Sequence, residues 1–330
     1  MSDTSIATEL LSGPRQRGRW FEYACWLATW SAMAILVTLL FVILWQGLAY
    51  VNWHFLSNYK DELKPADSGI LPALWGSFWL MLMTCVFSIP IGIGAAVYLE
   101  EYSTDTWLTR IIKLNLSNLA GVPSIVYGIL GLTVFARMFD IFAHKELVVQ
   151  GPLGMYMPLP FGSTIISGAL TLSLLSLPVI IVATQEALRA VPQSLRHASI
   201  ALGATRWQTV SRQVLPAALP GIMTGVILSI SRAIGETAPL IVVGCGVSIF
   251  ECPPGVESPT ELVGSPELLL QIPFSSYTAL PATLYNWASD PRPVFTHKVA
   301  AGIIVLLVVL MAINGLAIYI RNRAQKHLNW

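Results

Sequence analysis

Apolar positions along this chain gather into six long runs, roughly 24–48, 71–99, 113–136, 162–184, 217–244 and 298–320, separated by polar stretches. A helix crosses the hydrocarbon layer of a bilayer with about 20 apolar residues, so each run predicts one membrane helix. The fold class expected is an all-α integral membrane protein with six transmembrane helices. The first run is longer and farther from the N-terminus than a signal peptide's apolar core of about 7–15 residues, and is expected to stay as an anchor. The predicted organisation is a tail over 1–23, a first helix over 24–48, a five-helix core over 71–320 and a tail over 321–330.

Prolines punctuate this pattern. Pro90, Pro123, Pro178 and Pro239 each fall inside a predicted span, where a proline kinks the helix and frees the carbonyl four residues back. For Pro239 that carbonyl belongs to Gly235, beside Glu236. The fifth span contains "ISRAIGETAPLIVVG" (230–244), an arginine and a glutamate one turn apart in an apolar setting. At 100° per residue Gly221, Gly225, Leu228, Ser229, Arg232, Gly235, Glu236 and Pro239 share one stripe, with Met223, Ile227, Ile230, Ile234 and Ile241 turned away. Small residues permit close helix approach, and intramembrane charges face the bundle interior or a water-filled cavity. Placing Arg232 near the midplane costs about 2.5–3.5 kcal/mol, which an ion pair with Glu236 or a passing anion offsets. Ser229, Arg232, Glu236 and Thr237 are therefore the candidate translocation residues. A planar guanidinium suits an oxyanion, although a purely structural ion pair remains the competing reading.

Composition sharpens the class. The chain is 55% hydrophobic and 11% charged, against about 25% charged in a soluble domain. Its net charge of +1 hides a strong sidedness. With the N-terminus inside, twelve of the 19 Lys and Arg residues fall on inside segments and six outside, Arg232 being the remaining one. Positive loops stay in the cytoplasm, so both termini are expected there, and nothing points to nucleic acid. Of the four cysteines, Cys25 and Cys85 suit packing, while Cys245 and Cys252 flank the fifth span's outer end, where a bridge is open to them.

Two connections are long. The outside loop, 245–297, begins polar and turn-rich and becomes aromatic, with its second half expected to order against the bundle. The inside loop, 185–216, lies largely within "VPQSLRHASIALGATRWQTVSRQVLPAALPG" (191–221), which predicts two short helices. Ser194 is expected to cap the first, Gly203 to break the pair, Thr205 with Gln208 to form a capping box, and Pro216 to end the second. Arg196, His197 and Trp207 lie on these helices and suggest a docking element.

This loop resembles the coupling loop of ABC-importer permeases, written EAA, three residues, Gly, nine residues, Ile, one residue, Leu-Pro. Ala198, Gly203, Leu215 and Pro216 match, while His197 stands for Glu, Ser199 for Ala and Gln213 for Ile. "NLAGVPSIVYGILGL" (118–132), "ALGATRWQTV" (201–210), "RAIGETAPL" (232–240) and "TALPATLYNW" (278–287) are similar to PstA-type permease subunits of phosphate ABC importers. The resemblance implies the type I, MetI-like permease architecture in a bacterial inner (plasma) membrane. It implies as partners a PstC-type permease, a dimeric PstB-type ATPase, a periplasmic PstS-type phosphate-binding protein and phosphate itself. Arg196, His197, Ala198, Gly203, Ala204, Trp207, Leu215 and Pro216 become the candidate ATPase-coupling residues.

The chain has no G-x-x-x-x-G-K-[ST] loop, so ATP and Mg are expected on the partner ATPase, with no cofactor or metal here and no catalytic residue. An ion-coupled secondary transporter is the alternative class, but it needs no inside docking element and often shows internal repeats. An intramembrane enzyme lacks a visible nucleophile or metal cluster. Sulfate and molybdate permeases share the coupling loop, and only the "RAIGETAPL" resemblance favours phosphate.

Overall fold

A computed structural model describes residues 13–59, 67–138, 147–150, 156–159, 161–245 and 271–326. Helix α1 (Gly13–Gly47) passes through a short turn at Leu48–Tyr50 to α2 (Trp53–Ser57). Helix α3 (Leu71–Val97) ends in a wide π-turn, Tyr98–Tyr102. Next come α4 (Trp107–Leu119), α5 (Ser124–Gly131) with its own π-turn at Leu132–Ala136, and a hairpin of β1 (Leu147–Gln150) and β2 (Tyr156–Leu159). The remainder is α6 (Ile165–Arg189), α7 (Gln193–Ala201), α8 (Arg206–Thr209), α9 (Leu215–Gly235), α10 (Ala238–Val243), α11 (Leu280–Ala288) and α12 (Pro293–Lys326).

Lipid offers no partner to backbone N–H and C=O groups, so apolar runs close their hydrogen bonds within helices. Among the described residues five helices are long and apolar enough to cross a bilayer, or six if α4 and the α5 segment count as one bent span. The kink expected at Pro123 is thus a sharp bend, and the two halves meet at 110°. Pro123 is the cause. It has no N–H and drives Val122 away from helical geometry, so α4 stops at Leu119 and Pro123 becomes the N-cap of α5. Helix α4 is mostly exposed, with Trp107 77% accessible. Asp105 precedes it, holding Arg110 through bonds of 2.9 and 2.7 Å; the hydrogen bond from Arg110 keeps that carboxyl below its ordinary pKa.

Three details are added to the expected organisation. Residues 13–23 of the N-terminal tail are helical. The fold is α as expected apart from one short hairpin, in which β1 and β2 pair antiparallel with Leu147 opposite Leu159. Pro90, Pro178 and the unanticipated Pro220 lie inside helices, whereas Pro123 and Pro239 start them. Cys245 is buried, while Cys252 and the polar half of the outside loop, 246–270, lie outside the described residues. The aromatic half is ordered, and Leu280 and Trp287 of α11 pack with Phe55, Ile70 and Phe295 at the end of the bundle where α3 begins. Val97, Leu188, Val191, Val210 and Val214 form the core at the end where α3 finishes.

Helix α6 is the centre of the bundle, with 67% of its apolar window buried against 11% for α12 and none for α1. Small residues set the spacing around α3. A Cβ on Gly76 would sit 2.0 Å from the Thr278 carbonyl oxygen, whereas one on Gly94 meets nothing within 4 Å. Gly76→Ala is therefore expected to lose about 1–3 kcal/mol of stability, as other overpacked sites do, and Gly94→Ala to be neutral or slightly stabilising. Thermal unfolding of the purified protein in detergent checks the pair, and equal losses would refute this account of the packing.

Candidate functional site

The Arg232 region is built by a broken helix. A continuous helix through Pro239 would set its ring against the Gly235 carbonyl and leave that carbonyl unbonded. The chain instead ends α9 at Gly235, extends at Glu236 (φ −77°, ψ 117°) and restarts with Pro239 in the first turn of α10, where a missing N–H costs nothing. The kink expected at Pro239 is therefore a complete break. Arg232 is in the last turn of α9, where helix carbonyls attract a cation by about 0.3–1 kcal/mol, and its Nε donates to Glu236 Oε1 at 3.2 Å.

The rotation of α9 also differs from the predicted stripe. Gly225 and Ser229 are buried, as are Ala218, Ile222, Val226, Ala233 and Ile234, so Ile234 is not turned away. Leu228 is 65% exposed. The Arg232 side chain is 46% accessible and that of Glu236 18%, and a Cβ on Gly235 would meet nothing within 4 Å. The pair thus lies on a face of the chain that its own helices leave open. Ser229 leaves the set, because its hydroxyl donates to the Ser176 carbonyl of α6 at 3.3 Å. Thr237 remains beside Glu236 at the N-cap of α10, without a capping bond from its side chain.

Helix α5 completes this neighbourhood. A Cβ on Gly128 would approach Pro239 Cα to 2.7 Å, so α5 and α10 meet backbone to backbone. The Tyr127 hydroxyl donates to the Leu119 carbonyl at 2.8 Å, closing the α4–α5 bend, and Tyr127 lies within electrostatic reach of Arg232. Sequence reasoning assigned no role to Tyr127 or Gly128, although both stand in the quoted "VPSIVYGILGL". Discontinuous helices of this kind form the substrate sites of many transporters.

The second element is the α7–α8 pair. Gly203 breaks it at φ +82°. Thr205 and Gln208 form the expected capping box, with Gln208 N–H on Thr205 Oγ1 at 3.3 Å and Thr205 N–H on Gln208 Oε1 at 2.9 Å. The hydroxyls of Ser199 and Thr209 are 2.9 Å apart and tie the two helices together. A groove of about 520 Å³ runs between them, lined by Leu195, Ala198, Leu202, Gly203, Ala204 and Arg212 among others. His197 and Ala198 are exposed, as are Trp207 at 62% and Leu202 at 90%. Leu195, Ile200 and Leu202 add an apolar face that was not singled out in the sequence.

Several expectations for this element fail. Pro192, not Ser194, occupies the N-cap of α7, without a side-chain cap. Pro216 does not end the second helix. The π-turn at Val210–Val214 carries it directly into α9, with Pro216 in the first turn. Leu215 consequently packs with the core at that end of the bundle. Arg196 points inward, donating to Glu101 Oε1 at 2.7 Å and to the Leu188 carbonyl at 2.9 Å.

Comparison with known proteins decides the family. Residues 88–252 match the binding-protein-dependent transport system inner membrane component family. The chain belongs to this family. PstA 1 of Mycobacterium tuberculosis, a phosphate transport system permease protein, is 32% identical over 296 residues, covering 88% of this chain and 84% of that protein. YqgI of Bacillus subtilis, a probable ABC transporter permease, is 35% identical over 208 residues; the match covers 63% of this chain and 64%, just under two thirds, of that relative. A chain of the bacterial alginate ABC transporter, solved with its alginate pentasaccharide-bound periplasmic protein, has the same fold at a TM-score of 0.62 and 15% identity, covering 93% of this chain and 96% of that one. The permease is a multi-pass membrane protein.

The geometry defines what a change at Gly203 does. A Cβ there meets nothing within 4 Å, so a first side-chain atom has room and the positive φ is what disfavours other residues, at about 1–2 kcal/mol. Gly203→Leu is expected to loosen the α7–α8 turn and raise protease cleavage within 185–216 several-fold. Gly203→Asn, whose side chain tolerates the left-handed region, stays near the parent. Limited proteolysis of both variants checks this, and equal sensitivity would show that backbone conformation is not the reason for glycine.

Proposed function

We propose that this chain is the PstA-type permease subunit of an ATP-driven phosphate importer in a bacterial inner membrane. Paired with a related permease, it forms half of the translocation pore. The observation that carries the reading is the Arg232–Glu236 pair at a helix break, on a face that the chain's own helices leave open. An uncovered intramembrane guanidinium is costly, and a second permease across that face would enclose it in a water-filled pore. Both termini are assigned to the cytoplasm on the Lys and Arg distribution.

In this reading Glu236 neutralises Arg232 while the pore is empty, and an arriving phosphate displaces it. Thr237, freed of any capping role, and the polar backbone of the unwound segment add donors and acceptors. Phosphate with one to two negative charges enters against an inside-negative potential at about 2.3 kcal/mol per charge per 100 mV, so transport requires an energy source. The exposed α7–α8 face, with His197, Ala198, Leu202, Gly203, Ala204 and Trp207, is the surface we assign to the cytoplasmic ATPase, which binds ATP and Mg. A periplasmic phosphate-binding protein delivers the substrate at the opposite end. The resemblance of "RAIGETAPL" and the similarity to a phosphate transport permease support phosphate over sulfate or molybdate.

Arg232→Gln is expected to abolish phosphate uptake, by at least about a hundredfold, with expression and assembly intact, because the charge is lost while a shorter polar side chain with an amide donor remains. Arg232→Lys restores only part, since a point charge does not reproduce the planar fork. Radiolabelled phosphate uptake in cells lacking the parent protein checks both. The double variant Arg232→Gln with Glu236→Gln removes both charges and leaves neither ion unpaired; near-normal uptake by it would show that the pair only holds the helix break together. Purification from native membranes is expected to bring a second permease and a nucleotide-binding subunit, and a lone protein moving phosphate without ATP would sink the reading.

A further inference from the structure

The adjacent glutamates of the π-turn that ends α3 hold three other elements. Glu100 receives the Arg189 guanidinium of α6 in a two-pronged contact of 2.9 and 3.0 Å and lies 3.8 Å from Lys113 of α4. Glu101 receives Arg196 of α7, through Nη2 at 2.7 Å and Nε at 3.3 and 3.4 Å. The same guanidinium donates to two carbonyls around the end of α6, Leu188 at 2.9 Å and Val191 at 2.7 Å. Both side chains of the Glu101–Arg196 pair are 12% accessible, whereas that of Arg189 is 47% accessible. The exposed pair is screened by solvent and holds little; the enclosed one, with all three guanidinium nitrogens engaged, fixes an orientation.

From this geometry we infer that Glu101 and Arg196 form a rigid strut that delivers motion of the α7–α8 pair to α3 and α6. The inference rests on the reading of α7–α8 as the ATPase-docking element. Helix α7 cannot turn about its junction with α6 without breaking the bonds of Arg196 to Glu101, Leu188 and Val191. Helix α8 runs through its π-turn into α9, whose far end carries Arg232. The bond between Ser199 and Thr209 joins the two arms. A push on the pair therefore reaches α3 and α6 through the strut and α9 through the continuous helix, and both are needed for the Arg232 face to respond. Arg196 and Glu101 are positioning residues that never touch the substrate.

The test uses the complete transporter in liposomes, with uptake of inorganic phosphate and ATP hydrolysis measured together. In Glu101→Gln the ATPase subunit stays bound and hydrolysis continues, while phosphate moved per ATP falls about tenfold. Glu101→Asp, which keeps the carboxylate, recovers part of the ratio, and Arg189→Gln changes it less than twofold. If Glu101→Gln fails to assemble, Arg196→Lys is measured in the same way, because lysine keeps the cation but not the fork. An unchanged ratio with the ATPase bound, including a parallel fall of uptake and hydrolysis, overturns the strut alone. A parent chain that assembles and transports phosphate, yet holds its ATPase unaltered after Leu202→Asp with Trp207→Asp, overturns the docking reading and the strut with it.

Discussion

The close approach of α6 to α3 and α9 is the constraint on which the rest of the molecule depends. In a bilayer the apolar effect does not drive one helix onto another, so association relies on shape and on small residues that let backbones meet. Gly221 and Gly225 of α9 face Ala187 and Ala183 of α6, and an added Cβ would come within 2.7 and 2.3 Å of those methyl groups. On the other side Gly92 of α3 receives Ile180 of α6, a Cβ there lying 2.7 Å from Ile180 Cγ2. Each small pair is four residues apart and therefore lies on one helix face. This locks the rotation of α9, and with it the direction in which Arg232 leaves the helix.

The functional features then arise where regular helix stops. Gly235 and Pro239 end one helix and start another around Glu236, which converts an arginine in mid-span into one at a helix C-terminus. Pro123 does the same between α4 and α5, and Gly128 lets the shortened α5 reach Pro239. Three π-turns, at Tyr98–Tyr102, Leu132–Ala136 and Val210–Val214, widen the helix locally. The first presents Glu100 and Glu101 to different neighbours, and the third lets the α7–α8 pair continue into α9 despite Pro216. The transport reading requires such a design, in which a docking surface at one end and a charge pair farther along are joined by one nearly continuous rod.

Much of this was legible in the sequence because it is encoded locally. Apolar run length fixed the membrane class, since a helix must match the thickness of the hydrocarbon layer. The Thr205–Gln208 box and the Gly203 break follow from hydrogen bonds and φ values within a few residues. The Arg232–Glu236 contact follows from i, i+4 spacing, and it survives although the helix ends between the two residues. The partners of Ser229 and Arg196 were not legible for one reason. Both are polar side chains on helices of the right kind, and helical periodicity says which residues share a face without saying which neighbour that face meets.

What the chain alone determined is therefore the number and approximate position of its apolar segments, its breakpoints, the chemistry it places within the membrane and its family. What only the tertiary structure decided is environment. The apolar windows of α6 and α12 have mean hydropathies of 2.3 and 2.8, yet 67% of one is buried and 11% of the other. Lipid and protein interior are equally apolar, so hydropathy cannot separate a central helix from a peripheral one. The same limit applies to Glu101 and Arg196, 95 residues apart, and to the open face around Arg232. Those depend on which helices pack side by side, a long-range choice made by the fit of Gly221, Gly225, Ala183 and Ala187.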